Sequence, residues 1–247
     1  MQNVLSLALH ILRFLCIIIL MRKVEISVGE YYHVYNRGNN KQNIFLDIRD
    51  YVRFLFLIIY FQSTFSFLNI SRSVSFFVKR NFFYFKKDQL DLVIKNRYVE
   101  LINFCLMPNH FHLTLRETKE GGISQYMHRI GTSFTKYHNK KYAKTGHLFQ
   151  GTFKVVHIES NEQLLYLSAY IHRNPRGIKE WKNKEEKYPW SSFQDYVGES
   201  RWGNLLSYEI IKGQFDNNQE YKEFNNKSGT KDFGEDEEER DLVIDFE

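Results

Sequence analysis

The sequence predicts an α+β fold in which helices pack on an antiparallel sheet. Three observations lead to this prediction: runs of aromatic and β-branched residues at strand length, a Met-Pro-Asn turn between two of these runs, and helical periodicity in two long segments. The resulting order, β-α-β-β-α-β, is that of ferredoxin-like and RRM-like sheets. An additional C-terminal helix follows and is placed to reach the sheet.

The first predicted strand covers residues 31–36 (YYHVYN) and ends at a turn cluster, residues 37–40 (RGNN). A helix from Asp47 to Phe61 comes next, with Asp47 as a candidate N-cap. Residues 62–96 are rich in Phe, Ser and Lys and have no clear periodicity. We therefore interpret them as an insertion or a long loop.

The next two strands, residues 99–106 and 111–116, are separated only by Met107-Pro108-Asn109. Because this tripeptide favours a tight turn, the pair is predicted to form an antiparallel hairpin. Residues 122–142 have the pattern of a long helix with a basic polar face. Residues 147–158 are predicted to form the fourth strand.

The helix from Ser160 to Asn174 has the strongest local signals in the chain. Ser160 and Gln163 have the spacing of a capping box, and apolar residues recur through the segment. Pro175 ends the helix, because the residue before a proline is pushed out of helical geometry.

The two ends of the chain differ from its body. Residues 1–20 resemble a signal peptide or membrane anchor, but no positive charge precedes the apolar run and Arg13 interrupts it. We interpret them as a dispensable leader or a mis-assigned start before Met21, and expect no stable membrane association. One domain is predicted over residues 21–200. A polar, acidic, disordered tail is predicted over residues 201–247.

Charge is segregated along the chain. Nine acidic and two basic residues lie in residues 231–247, so the remaining 230 residues have a net charge of +12. A body this basic suits a polyanionic partner, although a solvated Lys-rich surface would have the same composition. The two cysteines provide neither a disulfide framework nor a Cys-rich zinc site, which favours a reducing, cytoplasmic location.

Two histidines stand out on the third predicted strand. His110 and His112 leave the same face, because strand side chains alternate, while Phe111 enters the opposite face. Neutral imidazole is a common ligand of divalent metals, but two surface histidines would show the same spacing.

Tyr170 and Asn174 share one face of the last helix, one turn apart. An amide oxygen is a hard ligand suited to Mg²⁺ or Mn²⁺, and a tyrosine beside a metal-bound phosphate could attack phosphorus. The alternative is that Tyr170 is one of the 16 tyrosines that fill the core or surface, and that Asn174 is an ordinary helix end before proline.

Residues 121–157 contain six basic residues and no acidic one. Aromatic residues lie between the basic ones, a pattern typical of a groove that neutralises phosphates and stacks unpaired bases. A solvated helix face with its aromatic side turned inward is the alternative. The basic residues, which we predict to bind DNA, are Arg129, Lys136, Lys140, Lys141, Lys144 and Lys154.

Together these motifs resemble a known family, the REP-associated tyrosine transposases, which belong to the single-tyrosine HUH transposases of insertion sequences. The resemblance covers roughly residues 24–196, apart from the insertion at 62–96. It rests on residues 29–37 (GEYYHVYNR), 105–116 (CLMPNHFHLTLR), 146–154 (GHLFQGTFK), 170–175 (YIHRNP) and 188–193 (YPWSSF). The family commonly has Arg where this chain has Thr152, which puts one DNA contact in doubt.

The resemblance implies a role for each matching residue. His110 and His112 would be metal ligands, with Asn174 as the third ligand of Mg²⁺ or Mn²⁺, and Tyr170 would be the catalytic nucleophile. Arg37, in the first matching block, joins the predicted DNA-binding residues. The implied enzyme cleaves and rejoins single-stranded DNA at hairpin-type sites through a 5′-phosphotyrosine intermediate. It would act as a monomer or homodimer in the cytoplasm, associated with the nucleoid.

Three alternative functions fit parts of the sequence. A catalytically inactive protein of the same fold could bind single-stranded nucleic acid. A phosphodiesterase with two His-x-Thr/Ser motifs matches only at His112-Leu113-Thr114, and no second copy of the motif occurs. A membrane protein anchored by residues 4–20 is disfavoured by the position of Met21.

Overall fold

The computed structural model describes residues 24–65, 69–84 and 86–228. Its sheet has four antiparallel strands in the order β2-β3-β1-β4, which confirms the predicted α+β fold. The strands are β1 (Tyr31–Arg37), β2 (Val99–Met107), β3 (His110–Glu117) and β4 (Lys154–Ile158). Only β4 differs clearly from its prediction, since it begins seven residues later than expected and a loop precedes it.

The described residues form eight α-helices. No helix in the described ranges is both long enough and apolar enough to span a bilayer. The helices are α1 (Ile48–Tyr60), α2 (Ile70–Arg80), α3 (Lys87–Lys95), α4 (Gly122–Lys141), α5 (Asn161–Arg173), α6 (Phe193–Val197), α7 (Glu209–Lys212) and α8 (Asn218–Lys227).

Helices α1 and α4 cover one face of the sheet, and α5 covers the other. On the first face the contacts are apolar and aromatic. Phe54 of α1 lies 5.0 Å from both Phe111 of β3 and Phe134 of α4, measured between ring centroids. The opposite face carries several buried polar side chains beneath α5, and the candidate site lies there.

The start of α1 is joined to the end of α4 by a buried carboxylate. Asp47 caps α1 in a full capping box with Asp50. The Asp50 side chain is fully buried and accepts hydrogen bonds from Lys141 Nζ (2.7 Å), Tyr142 Oη (2.6 Å) and Tyr137 Oη (2.9 Å). Asp50 therefore has neighbours that satisfy its charge on several sides.

The segment over residues 62–96 is not the long loop that its sequence suggested. Its described residues form α2 and α3, and Phe77 and Phe83 stack 4.2 Å apart by ring centroids. Phe83 also lies 4.4 Å from the buried ring of Trp202. The insertion is thus packed onto the domain through aromatic contacts, which have no fixed spacing along the sequence.

The predicted disordered tail is wrong for residues 201–228. Tyr221 of α8 is fully buried, and its hydroxyl lies 2.7 Å from His172 Nδ1 and 3.2 Å from Ser168 Oγ, both on α5. The polar composition of residues 201–228 gave no indication of this packing, because only a few aromatic residues form it. The predicted leader (1–20) and the acidic end from Gly234 onward lie outside the described residues.

Candidate active site

Strand β3 places His110 and His112 on the face that α5 covers. Their ring centroids lie 5.0 Å apart and the rings are almost perpendicular. His110 begins the strand directly after the Pro108-Asn109 turn and is half-buried, whereas His112 is fully buried. Strand alternation therefore brings the two imidazoles together, as the sequence predicted.

Helix α5 brings Tyr170 and Asn174 to the same two histidines. The ring of Tyr170 meets that of His112 edge to face at 5.5 Å between centroids, and only 8% of Tyr170 is exposed. Asn174 Oδ1 lies 3.3 Å from His110 Nε2. All four residues singled out in the sequence thus form one cluster, although Asn174 lies 64 residues from His110 along the chain.

The hydrogen bonds of Asn109 fix the protonation of His110. Asn109 donates through Nδ2 to the carbonyl oxygen of Lys41, so its Oδ1 is the atom that faces His110 Nδ1, at 2.6 Å. Because an amide oxygen only accepts, Nδ1 of His110 carries the proton. In the neutral ring, Nε2 then presents a lone pair.

A hydrogen bond to Tyr170 orients the side-chain amide of Asn174. Its Nδ2 donates to the carbonyl oxygen of Tyr170 at 3.1 Å, which leaves Oδ1 pointing toward His110 Nε2. Two lone-pair atoms therefore face each other when His110 is neutral. This arrangement repels unless His110 gains a second proton or a cation binds between the two atoms.

His112 contributes a third atom with a lone pair, its ring nitrogen Nε2. Burial lowers the pKa of His112 well below its usual value, with smaller contributions from His110, His33 and Arg37, so the ring is neutral. Its Nδ1 lies 2.9 Å from His33 Nε2. Its Nε2 is buried and has no hydrogen-bond partner among the residues that the structure describes.

The three atoms His110 Nε2, His112 Nε2 and Asn174 Oδ1 are suitable ligands for a divalent cation of the hard or borderline class. Two imidazole nitrogens and an amide oxygen would hold Mg²⁺ or Mn²⁺. Within the described ranges, no three His, Cys, Asp or Glu side chains are placed to share a metal ion.

Sequence reasoning missed two residues of this cluster. His33 is fully buried, with its ring stacked on that of His112 at 5.2 Å between centroids. Tyr35 lies 6.1 Å from His112 by the same measure. Both alternate with core residues on β1, so the sequence indicated that they share one face of the strand. Only the pairing of β1 with β3 places that face beside His112.

Two predicted DNA-binding residues lie at this face of the sheet. Arg37 pairs with His110 in the register of β1 and β3, and Lys154 pairs with Tyr35 in the register of β1 and β4. Residues paired across neighbouring strands share a face, so both belong to the face of the histidines. Lys154 is exposed, which leaves its charge available to a phosphate.

The remaining predicted DNA-binding residues belong to α4 and the loop after it, across the sheet. Lys136, Lys140 and Lys144 are exposed, and Lys136 borders a cavity of about 590 Å³ between α4 and the loop over residues 147–153. Arg129 and Lys141 are engaged inside the protein: Arg129 donates to Tyr98 Oη, and Lys141 pairs with Asp47 and Asp50. DNA contact stays a prediction for all of them.

Three aromatic residues of this basic segment have structural roles. Phe134 is fully buried in the core. The hydroxyls of Tyr137 and Tyr142 donate to Asp50. The expected alternation of stacking aromatics and phosphate-binding cations along α4 is therefore largely the inward side of an ordinary helix.

Comparison with known proteins points to transposases. Residues 78–174 match the family model described as transposase IS200 like, which confirms the resemblance seen in the sequence. This range includes His110, His112, Tyr170 and Asn174. No curated protein matches the chain. A solved structure of a REP-associated tyrosine transposase bound to a REP hairpin is 16% identical, covers 71% of this chain and 83% of its own, and has a TM-score of 0.46.

Proposed function

We propose that this chain, whose residues 78–174 match the IS200-like transposase family, is a metal-dependent DNA transposase that cleaves and rejoins single-stranded DNA. One observation carries the proposal: Tyr170 lies against His112 while Asn174 Oδ1 faces His110 Nε2 at 3.3 Å. A tyrosine whose ring lies against candidate metal ligands is suited to attack a phosphate held by a cation.

The nucleophile in this proposal is Tyr170 Oη. It attacks the scissile phosphorus, a new P–O bond to the tyrosine forms, and the bond from phosphorus to the 3′ oxygen breaks. The phenolic proton is lost from Tyr170, and the departing 3′ oxygen ends as a hydroxyl. The product is a 5′-phosphotyrosine, and attack by another 3′-hydroxyl reverses the step and joins strands without an external energy source.

His110, His112 and Asn174 would hold Mg²⁺ or Mn²⁺. When bound, the cation would neutralise the charge that develops on the phosphate oxygens. The neutral state of His112 supports this role, because only an unprotonated nitrogen can be a ligand. Arg37 and Lys154, on the same face as the histidines, are the residues that we expect to bind the flanking phosphates.

The buried position of Tyr170 favours an unpaired substrate. With 8% of this residue exposed, the phosphate has to approach closely, and a strand within a stacked duplex cannot bend into the site without losing its pairing. We propose single-stranded DNA, displayed beside a hairpin, as the substrate. The acting species would be a monomer or homodimer associated with the nucleoid in the cytoplasm.

The test is the formation of a covalent protein–DNA adduct. Full-length protein is incubated with labelled single-stranded hairpin DNA and Mn²⁺ and analysed by denaturing electrophoresis. The wild type should form an adduct that chelation prevents. Tyr170→Phe should bind the hairpin with unchanged affinity and form no adduct, because only the phenolic oxygen is removed.

Tyr35 offers a matched control, since its ring also lies near His112. Tyr35→Phe and Tyr166→Phe should both retain the adduct. An adduct that survives in Tyr170→Phe but disappears in Tyr35→Phe would show that the nucleophile is misassigned. Tight hairpin binding by a wild type that never forms an adduct would instead favour an inactive nucleic-acid-binding protein of the same fold.

A further inference from the structure

We propose that His33 is a positioning residue that holds the ring of His112 in the tautomer and orientation needed to bind the metal ion. The inference rests on the proposed function, because it concerns the same metal site. It adds a residue of β1 to a cluster otherwise formed by β3 and α5. Three features of the molecule support it: a short contact between two ring nitrogens, the polar character of the surrounding core, and the position of the remaining nitrogen of His112.

The first feature is the contact itself. His33 Nε2 and His112 Nδ1 lie 2.9 Å apart, and the two rings are inclined by only 16°. At this distance one nitrogen carries the hydrogen and the other accepts it. If His33 accepts, the proton of His112 sits on Nδ1 and its Nε2 keeps a lone pair.

The second feature is where that lone pair lies. His112 Nε2 is buried without a hydrogen-bond partner among the described residues, and the ring lies beside those of His110 and Tyr170. A cation can bind His112 Nε2 only in this tautomer, because the opposite one places a hydrogen at this point. Acceptance by His33 is therefore the arrangement that a cation at His112 requires.

The third feature is the row of side chains to which His33 belongs. Asn103, Thr114 and His33 lie in register across β2, β3 and β1, and all three are fully buried beneath α5. One residue further along the same strands, on the opposite face, the row consists of Phe104, Leu113 and Val34. The same strands thus carry an apolar row on one face and a polar row only on the face of the site.

A purely structural role would favour an apolar side chain at position 33. Burial of polar groups is unfavourable unless their hydrogen bonds are made, and Thr114 Oγ1 is buried without a partner among the described residues. A phenylalanine could fill the space of the imidazole at lower cost. The imidazole at position 33 is therefore better explained by its contact with His112 than by packing.

The experiment measures Mn²⁺ affinity of the full chain without DNA, by titration followed with electron paramagnetic resonance. His33→Phe keeps a ring but removes the acceptor, and should weaken Mn²⁺ binding by about 10- to 100-fold, the range for loss of an outer partner of a ligating histidine. His33→Gln places an amide oxygen near the position of Nε2 and should recover most of the affinity. His138→Phe, at another fully buried histidine, should leave the affinity unchanged.

Several results would overturn the inference. Wild-type affinity in His33→Phe would do so, and so would equal loss in His33→Phe and His33→Gln, since packing alone would then account for the effect. If His33→Phe does not fold, the affinity of His33→Gln decides, with near wild-type binding expected. A wild type that forms the DNA adduct while His33→Phe binds Mn²⁺ normally contradicts only this inference. A wild type that neither binds Mn²⁺ nor forms an adduct contradicts the proposed function as well.

Discussion

Two clusters of buried polar side chains lie on opposite faces of the sheet and differ in how their hydrogen bonds are satisfied. Around Asp50, every contact joins a donor to an acceptor: Lys141, Tyr137 and Tyr142 all donate to the carboxylate. Around His112, His110 Nε2 and Asn174 Oδ1 face each other at 3.3 Å, and His112 Nε2 is buried without a hydrogen-bond partner among the described residues. The first arrangement stabilises the fold, and the second is suited to receive a ligand.

The contrast teaches how a structural polar cluster can be distinguished from a functional one. Burial and residue type do not separate them, because both contain fully buried ionisable groups. The balance of donors and acceptors does separate them, since an excess of lone pairs at one point is unfavourable without a cation. The two clusters should therefore respond in opposite ways to the loss of one side chain.

The largest expected effect is a loss of stability when the Asp50 cluster is broken. Asp50→Ala leaves Lys141 with only the half-exposed Asp47 as an ionic partner and removes the acceptor of two tyrosine hydroxyls. Breaking a buried ion pair costs about 3–5 kcal/mol, and we expect the lower end because Asp47 remains. Chemical denaturation would measure the loss. Mn²⁺ affinity of the folded protein should not change, and a parallel fall in affinity would show that the two clusters are coupled.

The second prediction concerns Asn174, where we expect a large loss of Mn²⁺ affinity and only a small loss of stability. Asn174→Ala removes the lone pair that faces His110 and one hydrogen bond to the carbonyl oxygen of Tyr170. Mn²⁺ affinity should fall by at least about tenfold, whereas stability should fall by only about 1 kcal/mol. Adduct formation should persist slowly at high Mn²⁺, because Tyr170 is intact. Unchanged Mn²⁺ affinity would remove Asn174 from the ligand set.

The smallest expected effect is the contribution of Asp50 to the loss of stability in acid. Burial raises the pKa of Asp50, but hydrogen bonds from Lys141, Tyr142, the Leu46 amide and Tyr137 outweigh it, so the folded pKa lies below the usual value. The unfolded chain then binds the proton first, with a pKa of about 3.9. The stabilisation is therefore complete above about pH 5 and is lost as pH falls through the folded pKa.

Comparison of the protein with and without Asp50→Asn, both carrying His138→Phe, isolates this contribution, because the charge of Asp50 also raises the pKa of His138. The difference in free energy of unfolding should be constant between about pH 5 and pH 7 and should narrow below about pH 4, by no more than about 1.4 kcal/mol per pH unit. A difference that grows toward acid would contradict the lowered pKa of Asp50.

The sequence predicted the parts of the molecule whose signals are local. Runs of aromatic and β-branched residues located β1, β2 and β3, and a capping residue bounded the start of α5 within one residue. The end of α5 was also predicted within one residue, but Asn174 before the proline keeps helical backbone angles and begins a short 3-10 helix, so the expected departure from helical geometry is wrong. Spacing of two on a strand and of four on a helix singled out His110, His112, Tyr170 and Asn174. These predictions succeeded because strand parity and helical periodicity depend only on neighbours along the chain. Their chemical roles stay predictions.

Pairing between distant residues was decided only by the tertiary structure. His33 reaches His112 across 79 residues of chain, and Lys141 reaches Asp50 across 91. Neither contact produces a periodic pattern in the sequence. The contact of His33 was therefore not predicted, and Lys141 was predicted only to bind DNA. The same holds for residues 62–96 and 201–228, whose helices depend on scattered aromatic contacts. Local geometry determined which residues could act, and the register of the strands determined which of them meet.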